Sequence, residues 1–215
     1  MIKLFELLFN PIEENTYIVY DETHECIIID AGCSNADENK ILQKTITDKN
    51  LKPTKLICTH GHFDHIMGNN FVCETYGIKT YIHKNEISNF ERAASYGSYF
   101  GVNIVPPPIP DNFVSDGDEI KFGNSLLKVI FTPGHTRGGI CLYSAADELL
   151  FSGDTLFAGS IGRTDLPGGD YDELMSSIKK LMQLPDSTNV FCGHGSKTSI
   201  GYEKMTNPFV TETLQ

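Results

Sequence analysis

At 215 residues, the chain is long enough for one large domain or two small ones. Its 28 acidic against 17 basic residues give a net charge of −11, which argues against nucleic-acid and anionic-membrane partners, since both need basic patches. A hydrophobic content of 40% is ample for a core, yet no apolar run approaches the ~20 residues that span a bilayer.

In chain order, Ile2 to Phe9, Thr16 to Tyr20 and Cys26 to Ile29 read as strands of an opening meander. Asp37 to Asp48 reads as a helix, with Ile41, Leu42 and Ile46 on one face. A short buried strand, Lys55 to Cys58, leads into Thr59-His60-Gly61-His62-Phe63-Asp64-His65, after which Ile66 to Val72 can start a helix. Lys79 to Ile82 is another short strand, followed by a helical stretch from Lys84 to about Ala94. Residues 96–110 have no clean period and end in prolines; they read equally as a loop over a site or as a connector. Glu119 to Phe122 and Leu126 to Phe131 flank Gly123-Asn124, a hairpin turn. Ile140 to Tyr143 and Glu148 to Phe151 form a second hairpin. Asp170 can cap a helix from Tyr171 to Met182 whose Leu174, Ile178 and Leu181 face inward. Val190 to Cys192 is the last strand and Ile200 to Met205 a short final helix.

Cys26, Cys58 and Cys192 lie inside apolar strand runs, where a thiol acts as a small hydrophobe, and no Cys-x-x-Cys pair occurs. The start of the chain is too short an apolar run for a signal peptide. A cytoplasmic protein with reduced thiols is expected. No low-complexity or Gly/Ser/Pro-rich linker divides the chain, so residues 1–215 read as one domain.

The segment Thr59 to His65 holds four metal-capable side chains within six positions, at a strand-to-helix turn. Alternate residues on extended backbone point the same way, so His60 and His62 can grip one metal, while Asp64 and His65 lie around the bend and can face a second. Imidazole with carboxylate suits borderline divalent ions such as zinc. Three later turns follow β-rich runs and are flanked by Gly: His135 after Leu126–Phe131, Asp154 after Leu149–Phe151, and His194 after Asn189–Cys192. Four ligand-bearing turns on four strand ends carry more weight than any one of them.

The order His-x-His-x-Asp-His, then His, Asp and His, resembles the metallo-β-lactamase superfamily. Thr132-Pro133-Gly134-His135-Thr136, Phe151-Ser152-Gly153-Asp154-Thr155, Gly162-Arg163-Thr164-Asp165, Gly193-His194-Gly195 and Asn207-Pro208-Phe209 are similar to its short glyoxalase-II-like hydrolases. The resemblance implies a four-layer αββα sandwich with the metal site at strand ends between the sheets. It implies one metal held by His60, His62 and His135, a second held by Asp64, His65 and His194, and Asp154 bridging both. Asp30 matches an aspartate placed behind the ligands, where it fixes an imidazole tautomer.

The implied function is hydrolysis of a small thioester such as S-lactoylglutathione, with two divalent metals, zinc first and iron or manganese as alternatives. Zinc lowers the pKa of bound water to about 7, and Asp64 and Asp154 would hold and aim the hydroxide. Arg163 stands where the family has a lysine and is expected to clamp a substrate carboxylate, or else to pair with Asp165 or Asp170. Asp165 and Ser196 replace two family tyrosines, and no C-terminal glutathione-binding helical domain is expected after His194; weak binding of glutathione thioesters follows. The rival enzymes are a mononuclear iron persulfide dioxygenase on His60, His135 and Asp154, and a metal-dependent lactonase. Gly193-His194-Gly195 favours the hydrolase over the dioxygenase, which usually has Ala-His-Asp there. A non-catalytic metal-binding module would close its coordination, whereas seven ligands for two metals leave room for water. The partner is a small molecule; the oligomeric state is left open.

Overall fold

The computed structural model describes residues 1–213. It divides into two compact units, one of Met1–Val114 with Lys121–Leu126, the other of Ser115–Ile120 with the chain from Leu127 onward.

The first unit carries a six-stranded sheet whose spatial order is its sequence order: β1 (Lys3–Phe9), β2 (Glu14–Tyr20), β3 (Glu25–Ile29), β4 (Lys52–Ile57), β5 (Thr80–His83) and β6 (Asn112–Val114). The first three strands are antiparallel, and β3 to β6 are parallel. Parallel neighbours need a crossover, usually helical. Here these are α1 (Ala36–Asp48), the pair α2 (Phe63–Ile66) and α3 (Asn69–Tyr76), and a 3₁₀ turn at Lys84–Glu86 running into α4 (Ile87–Tyr99). Cys26 to Ile29 on β3 are all buried, the continuous apolar run of a strand covered on both faces. Leu42 and Ile46 of α1 pack with Ile18, Ile28, Leu56 and Val72. Ile41 does not join them and is half exposed, because the i, i+4 pair Leu42/Ile46 sets the inward stripe and Ile41 lies about 100° around the helix from Leu42. A second cluster gathers Ile66, Ile82 and Phe90. The α4 helix runs past Ala94 to Tyr99, so the stretch expected to be irregular from residue 96 starts as helix; helix and strand are absent from 100 to 111.

The second sheet runs in the order β14-β13-β10-β9-β8-β7. Its strands are β7 (Glu119–Phe122), β8 (Ser125–Phe131), β9 (Ile140–Ser144), β10 (Leu149–Gly153), β13 (Asn189–Cys192) and β14 (Thr198–Ser199), with a two-strand ribbon of β11 (Leu156–Phe157) and β12 (Ser160–Ile161) beside them in sequence. Both expected hairpins form, and α5 (Tyr171–Leu181) makes the crossover between the parallel pair β10 and β13. The Asp170 carboxylate accepts the Glu173 N–H at 2.9 Å, capping α5 as expected. Leu174, Ile178 and Leu181 are fully buried against Leu150 and Val190. The ribbon, β14 and a last helix α7 (Pro208–Thr213) after α6 (Ile200–Thr206) were not read from the sequence, since two-residue strands are too short to show a period. Among the described residues no helix is long and apolar enough to cross a membrane, and the cysteines form no disulfide.

Candidate metal centre

In each unit the chemistry-bearing residues sit just past the carboxyl ends of strands that run the same way, where an open α/β sheet leaves its crevice. In the first unit Asp30 follows β3 and the His60–His65 segment follows β4. Asp30 is nearly buried and organises the rest. One carboxylate oxygen accepts the Thr59 N–H at 2.7 Å; the other accepts the Thr59 hydroxyl at 2.7 Å and lies 3.0 Å from His65 Nδ1. A carboxylate oxygen only accepts here, so His65 carries its proton on Nδ1. The Thr59 hydroxyl has given its single proton to Asp30, so at 3.1 Å from His60 Nδ1 it accepts an N–H. Both rings therefore keep the Nε2 lone pair for a ligand. Asp30, His60 and His65 lie close enough to share one such cluster.

The spacings fit metal coordination. Two nitrogens bound to zinc at 2.0–2.1 Å in a tetrahedron stand about 3.3 Å apart. His60 Nε2 and His62 Nδ1 are 3.2 Å apart, and His65 Nε2 lies 3.7 Å from the Asp64 carboxylate. In the second unit His135 follows β8, Asp154 follows β10 and His194 follows β13. The Asp154 carboxylate stands 3.5 Å from His135 Nε2 and 3.7 Å from His194 Nε2. His135 Nδ1 donates to the Arg163 carbonyl at 2.7 Å, which leaves the lone pair on Nε2. Asp30, His60, His62, Asp64 and His65 thus come together in one unit, and His135, Asp154 and His194 in the other. Imidazole nitrogens and carboxylates at these distances suit a divalent ion.

Several supports went unread in the sequence. Asn10 donates its amide to the carbonyls of Gly32 and Asp64. Glu86, shortly after β5, accepts the Gly61 N–H at 2.8 Å. Glu14 is fully buried 3.9 Å from His65 Nδ1; burial pushes its carboxyl well above the usual range, opposed by His65. Position after a strand was a signal for Glu86; nothing local marked Asn10 or Glu14. In the second unit the tail Asn207-Pro208-Phe209 is structural. The buried Asn207 amide donates to the Ser160 carbonyl at 3.0 Å and to Glu203 at 2.8 Å. Glu203 also accepts the Gly159 N–H, so the β11–β12 ribbon that follows Asp154 is pinned from α6. Gly134 is obligatory: its φ is +126°, and a Cβ there would stand 2.1 Å from the Leu174 backbone nitrogen.

Arg163 forms a two-pronged ion pair with Asp165, both contacts 2.7 Å. The guanidinium holds the exposed Asp165 carboxyl down at about 2. Of the alternatives for Arg163, the pairing with Asp165 is the one formed; Asp170 is occupied as the α5 cap. Past the metal-ligand turn, the Phe63 ring stacks on Phe100 at 5.7 Å, tying the end of α4 to the turn.

A model of the metallo-beta-lactamase superfamily matches residues 10–194. The chain is 33% identical to the hydroxyacylglutathione hydrolase GloC of Haemophilus influenzae over 92% of this chain and 93% of that one. The crystal structure of BLEG-1, a B3 metallo-beta-lactamase, superposes with a TM-score of 0.89 at 36% identity, covering 98% and 100% of the two chains. TTHA1623, solved in a di-iron-bound form, gives 0.86 at 35% identity over 95% and 99%. The protein belongs to the metallo-β-lactamase superfamily, a family of metal-binding hydrolases with this mixed α/β fold.

Proposed function

We propose that the protein is a binuclear-metal hydrolase of small acyl thioesters, with S-lactoylglutathione as the first substrate to try. The observation that carries it is the paired tautomer control: Asp30 and the Arg163 carbonyl each fix an imidazole so that Nε2 stays a lone-pair donor. The likeness to GloC supports the thioester. In this reading His60, His62 and His135 hold one ion, Asp64, His65 and His194 the other, and Asp154 reaches both. When bound, the ions activate water near neutral pH and polarise the scissile carbonyl.

The chain's own residues do the rest. Asp64 and Asp154 accept hydrogen bonds from the attacking water and set its direction. A thiolate leaving group needs little acid help, so no general acid is assigned. Arg163 remains the candidate contact for a substrate carboxylate, which must compete with Asp165. Zinc suits the donor set, while the di-iron form of TTHA1623 keeps iron in view. Thiols without disulfides fit a reducing, cytoplasmic setting.

The test is turnover of metal-replete protein on S-lactoylglutathione, a neutral acyl thioester, a lactone and a persulfide. Thioester cleavage is expected, lost in His62→Ala and in His194→Ala while the fold is retained. Turnover of the lactone or persulfide with no thioester cleavage would assign the site to a lactonase or a persulfide dioxygenase instead.

A further inference from the structure

The turn that presents His60 and His62 is held from outside by a group that the catalytic scheme does not use. Gly61 is the single residue between the two histidines. Its N–H donates to a Glu86 carboxylate oxygen at 2.8 Å, and Asn89, one turn on, donates its amide to the same oxygen at 2.7 Å. Glu86 is fully buried. A carboxylate in such a place costs free energy unless it is hydrogen-bonded, and a charged acceptor makes the stronger kind of bond to a backbone N–H. The approach is close as well: a Cβ on Gly61 would stand 2.9 Å from the Asn89 Cβ and 3.2 Å from Phe90. The peptide joining His60 to Gly61 is therefore clamped against the 3₁₀ turn and α4. That peptide sets how His60 Nε2 and His62 Nδ1 face one another across 3.2 Å.

His65 is held differently. Its ring answers to Asp30, which also holds Thr59. Three parallel strand ends, those of β3, β4 and β5, thus contribute a buried carboxylate, the candidate donors and a second buried carboxylate in turn: Asp30 acts on the rings of His65 and, through Thr59, His60, whereas Glu86 acts on the Gly61 peptide between His60 and His62. We propose that Glu86 is a positioning residue for the metal ion held by His60 and His62: through the Gly61 N–H it sets the angle between the two rings and hence the affinity for that ion, without setting the affinity of the Asp64–His65 pair. The proposal rests on the metal-binding reading above.

The experiment is a competition titration of metal-free protein with cobalt(II) or zinc against a chromophoric chelator, following the cobalt visible bands, on wild type, Glu86→Ala, Glu86→Gln and Asn89→Ala. Loss of an outer partner of a metal site typically weakens binding by roughly 10–100-fold. Glu86→Ala is expected to weaken one binding step by that factor, with altered cobalt bands, and to leave the other step at the wild-type value. Glu86→Gln, whose amide oxygen can still accept the Gly61 N–H, is expected to restore most of the affinity. Unchanged affinities in Glu86→Ala would overturn the proposal. So would an equal weakening of both steps, or a failure of Gln to rescue. If Glu86→Ala does not fold, Asn89→Ala decides: a several-fold loss in the same step is expected, and no loss overturns the proposal. A wild type that binds a single ion would end the binuclear reading alone. Glu86 would then be judged by whether its variant alters the same cobalt bands as His62→Ala.

Discussion

Arg163 serves two groups with two different parts of itself. Its carbonyl accepts His135 Nδ1–H, while its guanidinium is engaged by Asp165. The backbone role survives any side-chain change, so Arg163→Ala should keep its metal; if the side chain only holds a substrate carboxylate, the variant raises KM more than it lowers kcat, as expected for uniform binding. Asp165→Asn should free the guanidinium and lower KM for S-lactoylglutathione several-fold, with little change for a neutral thioester; a KM that moves equally for both would remove Arg163 from carboxylate recognition. The buried thiols yield a pH prediction. Burial pushes Cys26 up to about 12, against roughly 8.5 in an unfolded chain. The folded state keeps this proton where the unfolded state has released it, so the thiol's contribution is fully present below about pH 8.5 and falls as pH rises, by up to about 1.4 kcal/mol per pH unit. Urea denaturation between pH 8 and pH 10.5 should show a steeper loss for wild type than for Cys26→Ala. Equal slopes would mean that another group titrates.

Among the elements, the segment after β10 depends on residues far along the chain. Asn207 on the approach to α7 is fully buried and bridges the Ser160 carbonyl and Glu203. Asn207→Ala removes the donor to the Ser160 carbonyl and one of the donors to Glu203, at a cost of about 1–3 kcal/mol, to be read from the denaturation midpoint; hydrogen exchange at residues 155–162 should rise. A loss under about 0.5 kcal/mol, the size of an ordinary surface change, would show that Asn207 does not pin the ribbon. The longer elements were legible from period and cap: β8, β9, β10 and α5 lie within a residue or two of their expected bounds, because apolar spacing and an Asp cap are local signals. The last turn of α4, past Ala94, was not. Gly97 inside it broke the pattern, but it lies against the Val102 carbonyl and Ile104, so close packing holds a helix that propensity does not favour.

At the scale of the whole molecule, bound metal is expected to stabilise the fold it depends on. A ligand at 1,000 times its Kd adds about 4 kcal/mol, so chelator should lower Tm and zinc should restore it; an unchanged Tm would argue against ligands that fix the fold. Metal analysis should find two ions per chain, and Asp154→Ala should lose both. One iron on His60, His135 and Asp154 alone would overturn the two-metal scheme. The candidate donors were readable because metal chemistry favours His and Asp, and because strand-end turns place them at short, recognisable spacings. What holds them was not readable. Asp30 was found through resemblance; Glu86 and Asn10 touch the ligand turn across gaps of 25 and 54 residues, and Glu14 approaches it from β2. Pairings at such separations leave no periodic trace, since they are made only when neighbouring strands bring their ends to one edge. The sequence by itself determined the candidate donor residues, the main strands and helices and the family; the tertiary structure alone decided which ring nitrogen of His60, His65 and His135 carries the proton, and which carboxylate engages Arg163.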